Sequence, residues 1–291
     1  MDNWTHAFVK TNDITLHVVQ AGPEDGPLLI LLHGFPEFWR GWRQQIPFFA
    51  AAGYRVWVPD QRGYNLSDKP RGLDAYDLNE LAADVVGLID AAGRDKAYLV
   101  GHDWGANVAW WVGIHYPERL HKLGILNVPH PVIMRQNLQE NPSQLRKSWY
   151  MFFFQLPAVP EVTIQAADWR LGLEALRGSS RPGTFSADDL AAYQCAWSRP
   201  GAFTGMLNWY RAIMQHSPHP SRPVQVSVPT FIIWGAQDMF LGQEMVEPSA
   251  KMCVNGRFAI IDEASHWVQH EEPEQVNQLL AEFFAGDESP A

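Results

Sequence analysis

Seven short apolar runs punctuate the chain, and their internal patterns separate strands from helices. "ITLHVVQ" alternates apolar and polar positions, as an early antiparallel strand with one solvated face does. "PLLILLH", "RVWVP" and "AYLVG" are nearly continuous apolar runs, the pattern of strands buried on both faces of a parallel sheet. Between the last two, "YDLNELAADVVGLIDAAG" sets Leu78, Leu81, Val85, Leu88 and Ile89 at helical spacing and stops at Gly93, which predicts a crossover helix. After "KLGILNV" the pattern changes. Residues 129–222 are rich in Trp, Phe, Tyr, Gln and Pro, with helical stretches and no clear buried strand. The proline-rich "SPHPSRPVQVSVP" then leads back to two more buried-strand runs, "TFIIWG" and "RFAIID", and "PEQVNQLLAEFFA" reads as a closing amphipathic helix. Strand and helix signals alternate as in an α/β fold with a mostly parallel sheet. The expected organisation is a core over 1–128, an inserted helical cap over 129–222, and the rest of the core over 223–291.

Composition narrows the partners. At 291 residues and 46% hydrophobic content, the chain has ample material for a packed interior. Its formal net charge of −10 comes without a basic cluster, which argues against nucleic acid or an anionic membrane and favours a small, uncharged ligand. Cys195 and Cys253 lie far apart and fit neither a disulfide framework nor a metal site. No signal peptide is recognisable in "MDNWTHAFVKTND", and no run reaches the roughly 18 apolar residues of a membrane span, so no membrane insertion is expected and cytoplasm is the default compartment.

Candidate chemistry begins at "YLVGHDWGANVAWW". Strand, tight turn and helix form the context in which a G-x-S-x-G motif becomes a nucleophile elbow, and here Asp103 stands in the serine's place. Gly101 and Gly105 let the turn close tightly. The competing explanation is a simple helix N-cap. A serine that attacked a saturated carbon would form an ether, which water does not readily cleave. An aspartate forms an ester, which water can open at the carbonyl to regenerate the carboxylate. An aspartate at the elbow therefore suits an electrophilic sp³ carbon, such as that of an epoxide or alkyl halide.

The other parts follow in the expected order. "LLHGFPEFW" comes after the third strand, where a second oxyanion donor belongs, so the backbone N–H groups of Phe35 and Trp104 are the candidates. "WGAQDMFL" places Asp238 after a buried strand, and "EASHWVQHEEP" places His266 after the last one. His266 is the expected base for the attacking water, with Asp238 fixing its tautomer. Asn127, at the alternative acid position after "KLGILN", cannot carry the charge. His102 should point away from the cleft, and His270 should face solvent or cap the last helix.

With "HGFPEFW", "DQRGYNLSDKP", "GHDWG", "LNVPHP", "WGAQD" and "SHW" in place, the chain resembles the α/β-hydrolase-fold epoxide hydrolases over most of its length. Most of these motifs are shared with haloalkane and fluoroacetate dehalogenases. The resemblance implies a mostly parallel eight-stranded sheet flanked by helices, with the helical cap inserted and without an N-terminal phosphatase-type domain. It also implies two cap tyrosines that hold and protonate the epoxide oxygen, matched by Tyr150 in "SWYMFFFQLP" and Tyr210 in "GMLNWYRA". A halide leaving group needs no proton, so the pair favours the epoxide. The expected partners are a small apolar epoxide and water, with no metal or organic cofactor; Trp39, Trp104 and Phe154 are expected to line the pocket. A dehalogenase is the rival enzyme and a non-catalytic ligand receptor the remote one. The stretch from "LQEN" to "QLRKS" carries no legible pattern.

Overall fold

The computed structural model describes residues 4–215 and 224–286. The start of the proline-rich return, with the expected 222/223 boundary, lies outside the described residues. Eight strands form one sheet: β1 (Thr5–Thr11), β2 (Ile14–Ala21), β3 (Leu28–Leu32), β4 (Arg55–Pro59), β5 (Ala97–His102), β6 (Leu120–Leu126), β7 (Thr230–Gly235) and β8 (Gly256–Ile261). Their spatial order is β1-β2-β4-β3-β5-β6-β7-β8. β2 pairs antiparallel with β1 and β4, and every other pairing is parallel.

The strand runs explain this order. All five residues of β3 and all six of β7 are buried, because helices cover both faces there. β1 is mostly exposed at one edge and lacks the apolar run that marks its neighbours. β8, expected as a buried strand, is the opposite edge, and it leaves Phe258 and Ile260 exposed. One side of β8 has no neighbouring strand, so apolarity there does not mean burial on both faces.

Helices follow the strands on both sides: α1 (Gln45–Ala51), α2 (Leu78–Ala91) and α3 (Trp104–His115) in the first part. Asp77 caps α2 by accepting from the Asn79 amide, the five spaced apolar residues are buried, and Gly93 closes the end with φ +69°. Each such side chain, fully buried, contributes about 1.5–3 kcal/mol. α3 is apolar nearly all round and runs through the centre of the core.

Between β6 and β7 the described residues hold six helices and no strand: α4 (Pro131–Glu140), α5 (Pro142–Lys147), α6 (Trp149–Phe153), α7 (Val159–Gly178), α8 (Ala187–Trp197) and α9 (Ala202–Gln215). α7 is broken at Ala166–Trp169, where Ala167, Asp168 and Trp169 have left-handed φ of 50°, 57° and 67°. α10 (Val246–Lys251), α11 (Val268–Glu271) and α12 (Pro273–Ala285) complete the chain. Among the described residues, no helix is long and apolar enough to cross a membrane.

β3 leads outward to β4 on one side, while β5 lies on its other side. The loops after β3 and β5 therefore diverge and leave a crevice at the carboxyl ends of the strands, the place where open α/β sheets hold ligands.

Candidate active site

Asp103, between the end of β5 and the start of α3, has φ 51° and ψ −124°, a strained conformation for a residue with a Cβ. Its side chain makes no capping hydrogen bond to α3, which removes the simple N-cap explanation. The carboxylate instead turns across the crevice. Oδ1 accepts from the Phe35 amide at 2.6 Å, and Oδ2 lies 3.4 Å from His266 Nε2. The turn tolerates no extra bulk: a Cβ on Gly101 would stand 2.3 Å from the Gly105 oxygen, and one on Gly34 would stand 2.3 Å from the Asp103 Cβ. Trp104 opens α3, so its amide is among the first-turn donors for which the helix offers no acceptor.

His266 Nδ1 lies 2.7 Å from Asp238 Oδ2. Asp238 is in turn held by the Phe240 and Leu241 amides on Oδ1, at 2.7 and 2.9 Å, and by Asn127 Nδ2 on Oδ2 at 2.8 Å. Asn127 accepts from the Gly235 amide, so its own amide orientation is fixed. The alternative acid position thus supplies a donor to the acid. Burial alone would raise the Asp238 pKa, but His266 and these donors hold it below its ordinary value.

Burial would lower the His266 pKa, but Asp238, and after it Asp103, push it up to about 10 from its ordinary 6.5. The resting imidazole therefore carries its proton at neutral pH. A raised folded pKa contributes stability fully below pH 6.5, and that contribution is lost as pH rises through about 10. Wild type should accordingly lose more stability between pH 6.5 and 10 than His266→Gln does. Denaturant midpoints measured across that window check this, and parallel curves would contradict it.

Tyr210 on α9 is buried and Tyr150 on α6 half-buried, with ring centroids 6.0 Å apart and planes at 81°. Burial and then the Asp103 carboxylate hold both phenols above their ordinary pKa of 10, so both remain donors. Two cavities meet at Asp103, Tyr150 and Tyr210. One, of about 370 Å³, runs past Phe154, Leu176, Trp197 and Trp267; the other, of about 330 Å³, runs past Trp104, Val128, Met134 and Leu138.

Phe154 and Trp104 therefore line the site, and Trp39 does not. Its indole packs against Trp4, His6 and Phe38, and its amide donates to the carboxylate of Asp60, the residue after β4. His270 is also placed differently from the expectation of a solvent-facing or capping residue. It is buried, with Arg43 donating to Nδ1 at 2.8 Å and Nε2 donating to Glu37 at 2.6 Å, which fixes a neutral tautomer. Burial lowers its pKa accordingly.

The cause is Glu37, a fully enclosed carboxylate that also takes the Tyr193 hydroxyl at 2.7 Å and lies 3.1 Å from His102 Nδ1. His102 points away from the cleft, as expected, and donates Nε2–H to the His266 carbonyl at 2.8 Å. Glu37 thus ties the loop after β3, helix α8 and the His266 loop together. Its only sign in the sequence is a carboxylate set within the apolar "HGFPEFW".

The unreadable stretch contributes as well. Gln144 on α5 is fully buried; it donates to the Phe240 carbonyl at 2.8 Å and accepts from the Gly242 amide at 3.0 Å, so it grips the loop that carries Asp238. A cap signal was present there: Asn141 accepts from the Ser143 amide, followed by Pro142 at the first helical position.

The comparisons with known proteins give the family. Residues 27–273 match the family model for the alpha/beta hydrolase fold. The chain is 48% identical over 283 residues to the Bacillus subtilis AB hydrolase superfamily protein YfhM, covering 97% of this chain and 99% of that one. It is 40% identical to Epoxide hydrolase 1 of Caenorhabditis elegans, covering 97% of this chain and 71% of that one. The crystal structure of the Bacillus megaterium epoxide hydrolase bound to an inhibitor superposes with a TM-score of 0.87 at 32% identity, covering 96% of this chain and all of that one. This chain belongs to the α/β-hydrolase-fold epoxide hydrolases. In this hydrolase Asp103, His266, Tyr150 and Tyr210 line one crevice, and Asp238 stands behind His266, 2.7 Å from its Nδ1.

Proposed function

We propose that this hydrolase opens epoxides to vicinal diols through a covalent ester on Asp103. The observation that carries the reading is the placement of the Asp103 carboxylate between the Phe35 amide and His266, in a crevice also lined by two protonated phenols. Oδ2 attacks an oxirane carbon while Tyr150 and Tyr210 hold the oxygen, and one phenol gives its proton to the opening alkoxide. Oδ1 becomes the ester carbonyl oxygen and stays on the Phe35 amide, with the Trp104 amide as the second donor.

Esterification has a second effect. It neutralises Asp103 and so removes one of the charges that keep His266 protonated. The imidazole then releases its proton, the phenolate recovers one, and Nε2 becomes a base. Water activated by His266 attacks the ester carbonyl, with Asp238 stabilising the imidazolium as it forms again. The diol leaves, and Asp103 is once more a carboxylate beside a protonated His266. Atoms balance as epoxide plus water to diol.

Residues 129–222 act in this reading as the cap, supplying both phenols and most of the apolar wall. The two lobes beside Asp103 suit an epoxide with apolar substituents on both carbons. The names of the relatives support the reaction class. Incubation with epoxide and haloalkane panels tests it: diol formation is expected, and halide release without diol would assign the chain to the dehalogenases.

A further inference from the structure

The two phenols are carried by helices that are held in different ways. Tyr210 sits in α9, where eight of the fourteen residues are buried and Trp209 donates its indole N–H to the Arg62 carbonyl at 3.0 Å. Packing fixes such a helix. Tyr150 sits in α6, which has five residues and none of them fully buried. A helix this short has little stability of its own, so its position comes from what holds its ends.

The C-terminal end is tied to α9: Gln155 Nε2 donates to the Tyr210 carbonyl and Arg211 Nε to the Phe154 carbonyl, both at 3.0 Å. The N-terminal end, beside Tyr150, is tied to the core. Ser148, the residue before α6, is fully buried, and its hydroxyl makes no capping bond to the helix. It accepts instead from Gln144 Nε2 at 3.0 Å. The same nitrogen gives its other N–H to the Phe240 carbonyl at 2.8 Å, and Gln144 Oε1 accepts from the Gly242 amide at 3.0 Å. Both donors and the acceptor of this enclosed amide are thus used. Lys147 adds a bond from the end of α5 to the Asp238 carbonyl at 3.2 Å.

This joint reaches the reacting groups. The Phe240 ring stands 5.7 Å from that of Tyr150 and 5.2 Å from that of His266, nearly perpendicular to both. A buried amide is costly unless its bonds are made, so an apolar side chain would serve if the joint only had to be filled. Three directed bonds instead fix one placement of α5 and α6 on the Asp238 loop. Proton donation depends on such placement, because a shift of about 1 Å can cost about 100-fold in rate.

We propose that Gln144 is the positioning residue for Tyr150: it seats α6 on the Asp238 loop and so aims this phenol at the oxirane oxygen, while Tyr210 is placed independently by α9. This role rests on the epoxide reading. The test is a double-mutant cycle on ester formation, read by rapid quench of a single turnover with the full chain and the epoxide that wild type opens fastest. Gln144→Leu should lower the maximum rate by about tenfold and change the half-saturating epoxide concentration by less than about twofold. In the Tyr150→Phe background it should change the rate by less than about twofold, and in the Tyr210→Phe background it should again cost about tenfold.

Ester hydrolysis should stay within about twofold of wild type, since Asp238 keeps its bonds from the Phe240 and Leu241 amides and from Asn127. If circular dichroism shows Gln144→Leu to be unfolded, Ser148→Ala, which removes only the contact to the start of α6, carries the same cycle with a smaller loss. Equal losses in all three backgrounds, or hydrolysis slowed in step with ester formation, would mean that Gln144 only supports the fold and would overturn the proposal. Two other results would overturn it by removing the reading beneath it: a wild type that opens no epoxide, or a Tyr150→Phe variant with an unchanged rate of ester formation.

Discussion

Replacing Tyr150 and Tyr210 together with phenylalanine should slow ester formation on an epoxide by about 100- to 10,000-fold, the usual contribution of positioned proton donation. The opening alkoxide is strongly basic, and these phenols face the cavity junction at Asp103 with their protons held by burial and by that carboxylate. Phenylalanine keeps the ring contacts with Phe35, Phe154 and Phe240, so the fold and pocket should persist. Each single variant should lose less than the pair, because one donor remains. Rapid-quench measurement of the covalent species in the first turnover reads the effect directly. Retention of the wild-type rate in the double variant would remove the tyrosines from the mechanism.

The second large effect falls on the other half of the reaction. His266→Gln should leave ester formation largely intact and slow ester hydrolysis by about 100- to 10,000-fold, since glutamine cannot take the proton from water. The covalent species should then accumulate. Intact-protein mass spectrometry should show a gain equal to one whole epoxide, located on the peptide that contains Asp103. A gain equal to an alkyl group, formed from a haloalkane with loss of its halogen, would point to dehalogenation. Unimpaired steady-state turnover would show that His266 is not the base.

The contrast between these two variants follows from features of unequal visibility in the sequence. Asp103 and Asp238 are legible because each closely follows a buried strand, which both reads clearly and aims the residues after it, and His266 because it comes soon after the apolar run of β8, which reads as a strand although it is an exposed edge. Tyr150 and Tyr210 lie on helices in a region with many aromatic residues, where periodicity says little. They stand out only through resemblance to a family. Trp39 shows the limit of reading by proximity: only five residues beyond Gly34, it donates its amide to Asp60 and packs its ring against Trp4, His6 and Phe38, outside both cavities.

Networks were the least legible part. Glu37, His102, His270, Arg43 and Tyr193 come from segments up to 233 residues apart, and no local pattern announces that they meet. Likewise Asn127 and Gln144 are neutral amides whose value lies in filling the remaining hydrogen-bonding positions around Asp238 and its loop. Such residues are defined by tertiary geometry. The edge strands show the same limit for the fold, since β1 lacks an apolar run and β8 has one without being buried.

The most direct test of the central claim is a single turnover in ¹⁸O-labelled water, with the enzyme in excess over an epoxide. If Asp103 forms an ester that water opens at its carbonyl, the label enters the Asp103 carboxylate and the first diol released carries none. Label in the diol, with an unlabelled Asp103 peptide, would mean that water attacks the epoxide directly and that Asp103 is not the nucleophile.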